Sequence, residues 1–168
     1  MFFSKMSKKN CTFASDMYSK EEIERRAQAA EELFARGFNC SQAVVAALSD
    51  LYDMDEQTAL RVSASFGGGT GRMRMTCGTA NALFILAGMQ TGNTKPDHPE
   101  LKMPNYAFVR SLAQEFEKRH GSLICAELLG LNGLQPKQKM PCKQMTGEAV
   151  RQYLTALNSM ETPEKTKT

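Results

Sequence analysis

Four cysteines are spread through the body of the chain: Cys40, Cys77, Cys125 and Cys142. Each sits in a short patterned stretch, Gly37-Phe-Asn-Cys-Ser-Gln, Thr76-Cys-Gly-Thr-Ala, Gly121-Ser-Leu-Ile-Cys-Ala-Glu and Met140-Pro-Cys-Lys. Reactivity, more than packing, decides where a chain keeps a cysteine. The thiolate is both the metal ligand and the nucleophile, so the set points to metal, iron–sulfur or thiol redox chemistry. The intervals of 36, 47 and 16 residues between successive members match neither a CxxC…CxxC zinc ribbon nor a ferredoxin run. They contain no CxxCH haem attachment and no CxxC exchange motif. On spacing alone a second reading stands beside the first, in which two or three of these cysteines are small buried apolar side chains.

The elements that must carry these thiols read as helices throughout. Ser19 and Glu22 form a capping-box pattern, and Ile23, Ala27, Ala30 and Phe34 then share one helical face up to the stop at Gly37. A second helix is expected over 39–52, with Cys40, Val44, Ala47, Leu48 and Leu51 on one face, and a third over 55–66 that buries Leu60 and Val62. A fourth, over 76–89, carries Cys77, Ala80, Asn81, Phe84 and Gly88 on one side. A Pro-rich loop over 91–104 leads to a fifth helix over 105–119, striped by Val109, Leu112, Ala113 and Phe116. Ser122 is the expected N-cap of a short sixth helix over 123–129, a loop covers 137–141, and a last helix over 147–158 buries Val150, Tyr153, Leu154 and Leu157. Cys40, Cys77 and Cys125 thus fall at helix starts, where free amides and the helix dipole favour thiolate over thiol. Cys142 falls in a loop or a first helical turn.

No period-2 run with turn signals occurs, so the fold class is all-α, a compact bundle of about six or seven helices. One domain is expected over 19–160, with loosely packed tails at 1–18 and 161–168; Cys11, in the first tail, is read as incidental. With 42% hydrophobic and 23% charged residues the chain is globular, not disordered. A net charge of +3 without a basic face gives no reason to expect nucleic acid. No apolar run is long enough to span a membrane, and the first residues lack the apolar core of a signal peptide. A cytoplasmic, reducing location is therefore expected, where scattered cysteines serve metals or catalysis, not disulfides.

Gly67, Gly68, Gly69 and Gly71, followed by Arg72 and Arg74, read as a flexible interhelical turn or an anion-binding nest. It is no P-loop, because no Gly-Lys-Ser/Thr follows. His120 reads as a histidine that complements the dipole at a helix C-terminus, and His98 as solvated. Met73 and Met75 read as core filling.

Taken together, several stretches resemble a known family. They are Phe38-Asn-Cys40-Ser-Gln-Ala-Val, the glycine run ending Gly69-Thr-Gly71-Arg, Thr76-Cys77-Gly78, Phe116 through Cys125-Ala-Glu-Leu-Leu-Gly, and the later Cys142. They resemble the four-cysteine C_GCAxxG_C_C family of redox-active proteins, over residues 31–157. With the family motif taken as CGAxxG, it reads here as Cys77-Gly78-Thr79-Ala80-Asn81-Ala82, so Thr79 and Ala82 depart from it. A similar domain in split-Soret-type cytochromes holds an iron–sulfur centre through cysteines. The resemblance therefore implies Cys40, Cys77, Cys125 and Cys142 as cluster ligands. Gly69, Gly71 and Gly78 would be the backbone positions that contact the group. The implied role is electron transfer to a redox partner protein. Two alternatives are a metal-free thiol–disulfide oxidoreductase using the same four cysteines as catalytic groups, and a helical binding module with structural zinc.

Overall fold

A computed structural model describes residues 17–131, 133 and 140–160. Among them are seven α-helices: α1 Lys20–Ala35, α2 Cys40–Ala47, α3 Glu56–Ser63, α4 Gly78–Thr91, α5 Lys102–His120, α6 Cys125–Leu128 and α7 Cys142–Met160. The expected tails at 1–16 and 161–168, with Cys11, lie outside the described residues, as does most of the expected loop at 137–141. Tyr18 is not part of a loose tail: its amide donates to the Asn158 side chain at 2.9 Å, and Asn158 donates back to its carbonyl at 2.9 Å. No helix among the described residues is long and apolar enough to cross a membrane.

Helix α7 runs along α1 and also touches α2, α4 and α5; α2 bridges α1, α3 and α4; α5 packs on α4. Small residues allow the closest of these approaches. Ala27 and Ala30 of α1 are fully buried. Gly147 of α7 lies so near α1 that an added Cβ would stand 2.3 Å from the Glu31 carboxylate. That contact explains why α7 begins five residues before the expected start: Gly147 is a packing position inside the helix, not its edge.

Local signals set the helix ends. Gly37, at φ +105°, closes α1 with a Schellman pair, Phe38 N–H to Leu33 O and Gly37 N–H to Phe34 O. Ser19 caps α1, but the reciprocal half of the expected capping box does not form, because the Glu22 carboxylate binds Arg25 and Arg26 instead. The complete capping box is at Asn39 and Gln42, at the start of α2. Helix α2 stops at Ala47, short of the expected Tyr52; Arg26 takes the Ala47 carbonyl, and a single 3₁₀ turn over Ser49–Tyr52 follows. Helix α5 starts at Lys102, inside the expected loop, and holds Pro104 in its first turn, where no amide proton is needed.

Two buried faces differ from expectation. In α3 it is Ala59 and Ser63 that are buried, while Val62 is 46% exposed. In α4 the expected Ala80 is fully buried, but the core side also takes in Thr79, Ala82, Leu83, Leu86 and Ala87, and Gly88 is exposed. Helix α4 is apolar all round, so periodicity could not select its inner face.

Candidate functional site

All four body cysteines stand at helix starts. Cys40, Cys125 and Cys142 are the first residues of α2, α6 and α7, and Cys77 is the N-cap of α4. Cys142 joins the three expected there. None is in a disulfide.

Two short segments hold Cys77 and Cys125 side by side. Thr76 pairs antiparallel with Ile124, Cys77 N–H donates to Leu123 O at 2.7 Å, and Cys125 N–H donates to Met75 O at 2.7 Å. This pairing is too short to be a strand, and no alternating pattern announces it. Ser122 does not cap α6 as expected. Its hydroxyl accepts from Ile124 N–H at 2.9 Å and donates to the Glu127 carboxylate, tightening the approach to Cys125.

The glycine run before Cys77 is a left-handed coil. Gly68, Gly69, Thr70, Gly71 and Arg72 have φ of +64°, +74°, +56°, +57° and +63°, and Arg74 returns to +63°. Left-handed backbone costs a non-glycine residue about 1–2 kcal/mol, more for a β-branched one. The surroundings impose it. Gly71 N–H donates to Ser65 O at 2.7 Å, Arg72 N–H to Gly67 O at 3.1 Å and Met75 N–H to Gly69 O at 3.0 Å. Asn81 then ties the coil to α4, donating to Thr70 Oγ1 at 3.3 Å and to Thr76 O at 3.2 Å.

One cavity of about 570 Å³ lies between these segments, and Cys40, Cys77, Cys125 and Cys142 all line it. Cys77 and Cys125 are buried at 6% and 7% exposure, and Cys40 and Cys142 are half-buried. Cys77 Sγ is 2.9 Å from Thr79 Oγ1 and 3.8 Å from Met145 Sδ. Despite its helix-start position, burial pushes the Cys77 thiol up to about 11, opposite to the expected thiolate; desolvation outweighs the hydrogen bonds from Thr79 and the α4 amides. Burial, then the neighbouring Cys40 and Cys125, also raises the Cys142 thiol, while Arg74 acts the other way. Arg74 Nη1 reaches Cys125 Sγ at 4.0 Å. Among the described residues, no group of three or more His, Cys, Asp or Glu side chains is arranged to hold a metal ion.

The three singled-out glycines divide. A Cβ at Gly78 would stand 2.4 Å from Cys40 Sγ, and one at Gly69 would stand 2.5 Å from Cys125 Cβ. Both are places where backbone must pass close to a cysteine. Gly71 lines the cavity but has open space around its missing Cβ, so only its φ asks for glycine. His120 is not the expected dipole partner. It is 2% exposed, neither ring nitrogen has a hydrogen-bond partner among the described residues, and its ring packs 4.4 Å from that of Phe116. Met73 and Met75 are exposed, not core, because the left-handed turn throws them outward. Met145 was not singled out; the only sequence signal was its place three residues after Cys142. Asn39 and Gln42 carry a capping-box pattern that is legible in the sequence.

A family model described as "putative redox-active protein (C_GCAxxG_C_C)" matches residues 38–155. No curated protein and no solved structure matches the chain. The motif in that description places glycine before cysteine and alanine after it. In that register Thr76, Gly78 and Asn81 are the departures, not Thr79 and Ala82. Thr76 and Asn81 are the hydrogen-bonded pair described above, and Gly78 removes the methyl that would meet Cys40.

Proposed function

The chain belongs to the C_GCAxxG_C_C family, described as redox-active, and from that premise we propose that its four body cysteines hold an iron–sulfur cluster. Through it the protein passes single electrons to and from a partner protein. The observation that carries this reading is the convergence of four unpaired thiols, from four separate helix starts, on one cavity. Four thiolates are the usual ligand set of such clusters. A thiol–disulfide enzyme is the second reading, with a nucleophile other than Cys77, whose thiol burial pushes up to about 11.

The residues have separable roles. Cys40, Cys77, Cys125 and Cys142 would be the ligands, each losing its proton on binding. Loading would therefore release protons and weaken as pH falls, most of all through Cys77. Gly69 and Gly78 let backbone pass beside Cys125 and Cys40. Thr79 donates toward Cys77 Sγ once that sulfur is a thiolate, and Met145 seals the same sulfur from water. A hydrogen-bonded, poorly hydrated sulfur is one of the features that set a cluster's potential.

The test is iron, zinc and acid-labile sulfide per chain, with a visible spectrum, on protein purified without oxygen. Iron with sulfide and a broad visible band is expected. Both should be lost in Cys77→Ser while far-ultraviolet helicity stays near wild type. Full cofactor content in that variant sinks the shared site. A colourless, metal-free protein with reactive thiols moves the function to disulfide chemistry, and zinc without sulfide moves it to a structural site.

A further inference from the structure

The left-handed coil poses a question about side chains. Glycine relieves positive φ at Gly68, Gly69 and Gly71, yet Thr70, Arg72 and Arg74 adopt it with side chains that resist it. Strained non-glycine residues of this kind cluster at ligand clamps and active sites. Thr70 has its own account, since its hydroxyl accepts from Asn81. At Arg72 and Arg74 the backbone is held by Arg72 N–H to Gly67 O, Arg74 N–H to Gly68 O and Ala126 N–H to Arg74 O, but these bonds would serve glycine equally and do not account for the arginine side chains. Both line the thiol cavity, and among the described residues neither has a carboxylate partner. Arg25, Arg26, Arg119 and Arg151 each bind a glutamate or an aspartate; Arg36, Arg61 and Arg110 also have no carboxylate partner among the described residues, but they do not line this cavity.

The other polar side chains of the wall are committed. The Asn39 carboxamide accepts from the amides of Ser41 and Gln42 and donates to Ala64 O. The Thr79 hydroxyl is engaged by Cys77. Among the described residues no carboxylate lines the cavity. What remains of the polar lining is the exposed Arg72 and the half-buried Arg74, in a wall that is otherwise thiol and apolar. Arg74 touches Cys125 Sγ with one nitrogen only. A cavity of about 570 Å³ falls within the size of small-molecule sites, roughly 300–1,000 Å³.

We propose that Arg72 and Arg74 form a binding site for a small oxyanion at the mouth of the thiol cavity. The planar fork of guanidinium donors matches two coplanar oxygens, as in a carboxylate or a sulfur oxyanion, and binds them as a charge-assisted pair. The proposal needs the cavity and its arginines but not the cluster, so either reading can fail without the other.

The experiment is calorimetric titration of the full chain with sulfate and, separately, with acetate, using chloride as the control for unspecific ion binding. It is run on protein as isolated and on protein loaded with iron and sulfide. At least one of the two anions should bind more tightly than chloride. That affinity should fall about tenfold or more in an Arg72→Met, Arg74→Met double variant, as expected for loss of charge-assisted hydrogen bonds. Arg72→Gly with Arg74→Gly should lose binding equally while its Tm stays level or rises, which separates loss of the site from loss of the fold. Arg110→Met, an exposed arginine on α5, should bind as wild type. Preference for sulfate identifies a tetrahedral oxyanion, and preference for acetate a carboxylate. Binding no tighter than chloride, or unchanged in the double variants, overturns the site. Binding that disappears on loading with iron and sulfide also overturns it, because the arginines would then serve as counter-charge to the bound group.

Discussion

Around Leu83, Leu86, Val44 and Tyr153 the chain follows its own preferences, and around the thiol cavity it departs from them. In the first region regular helices pack fully buried aliphatic side chains, and the Tyr153 hydroxyl reaches the Leu86 carbonyl at 2.9 Å. In the second, helices start but do not run, the backbone turns left-handed over 68–72, and thiols face an open space. Both regions share α4 and α7: the same two helices begin at the cavity with Cys77 and Cys142 and run on into the core. The regular core thus acts as the anvil that holds an irregular and strained site in place. Strain of this kind persists only when its surroundings over-determine it.

The comparison breaks most readily on the core side. Leu83→Ala, at a fully buried position, should cost about 2–5 kcal/mol of stability in urea denaturation through the lost contacts and the cavity left behind. Iron and sulfide per folded chain should stay level. A parallel loss of cofactor at low urea would mean that the two regions are not separable.

Gly78→Ala comes next. Its methyl would stand 2.4 Å from Cys40 Sγ and 2.8 Å from Phe66 O. Overpacking of this type costs about 1–3 kcal/mol, and on the proposed cluster reading cofactor content should fall with it, because Cys40 would be displaced. Unchanged stability and content would show that Cys40 is free to move aside.

Asn81→Ala removes two hydrogen bonds, at 3.3 and 3.2 Å, that anchor the coil. It should cost about 1 kcal/mol. Amide hydrogen exchange should quicken at Gly71 and Met75, with protection in α1 and α7 unchanged. Equal quickening in both regions would deny that the coil is held locally.

The smallest effect expected is a pH slope from His120. Burial holds this histidine below its ordinary value of 6.5, so it stays neutral in the fold. The unfolded chain takes up the proton first as pH falls. Its contribution is therefore complete above 6.5 and is lost as pH drops below that value toward the lowered folded value. The slope should show in the urea midpoint and disappear in His120→Phe, whose ring suits the Phe116 contact.

Much of the fold was legible because its signals are local. The Gly37 stop, the Ser19 cap and the helix-start placement of Cys40, Cys77 and Cys125 depend on residues within a turn of one another. Helix α4 shows where legibility ended. Its apolar residues surround the axis, so the inward face was set by α2, α5 and α7 packing against it. Gly147 misled for a related reason: a packing glycine and a helix-edge glycine look alike in sequence, and the nearby Glu31 decides between them. Asn39 with Gln42 is a readable capping box, whereas the pairing of Thr76 with Ile124 left no pattern to read.

By itself the sequence determined an all-helical chain, four cysteines in family-like settings, and a glycine run before the second of them. Those follow from short-range sterics, periodicity and residue chemistry. Only the tertiary structure decided that the four thiols share one cavity, that Cys77 is driven toward its protonated form, and that Arg72 and Arg74 accept left-handed backbone beside it. Burial by distant segments sets the cost of charge, and the locally bonded turn is anchored from outside by Asn81, Cys125 and Ala126.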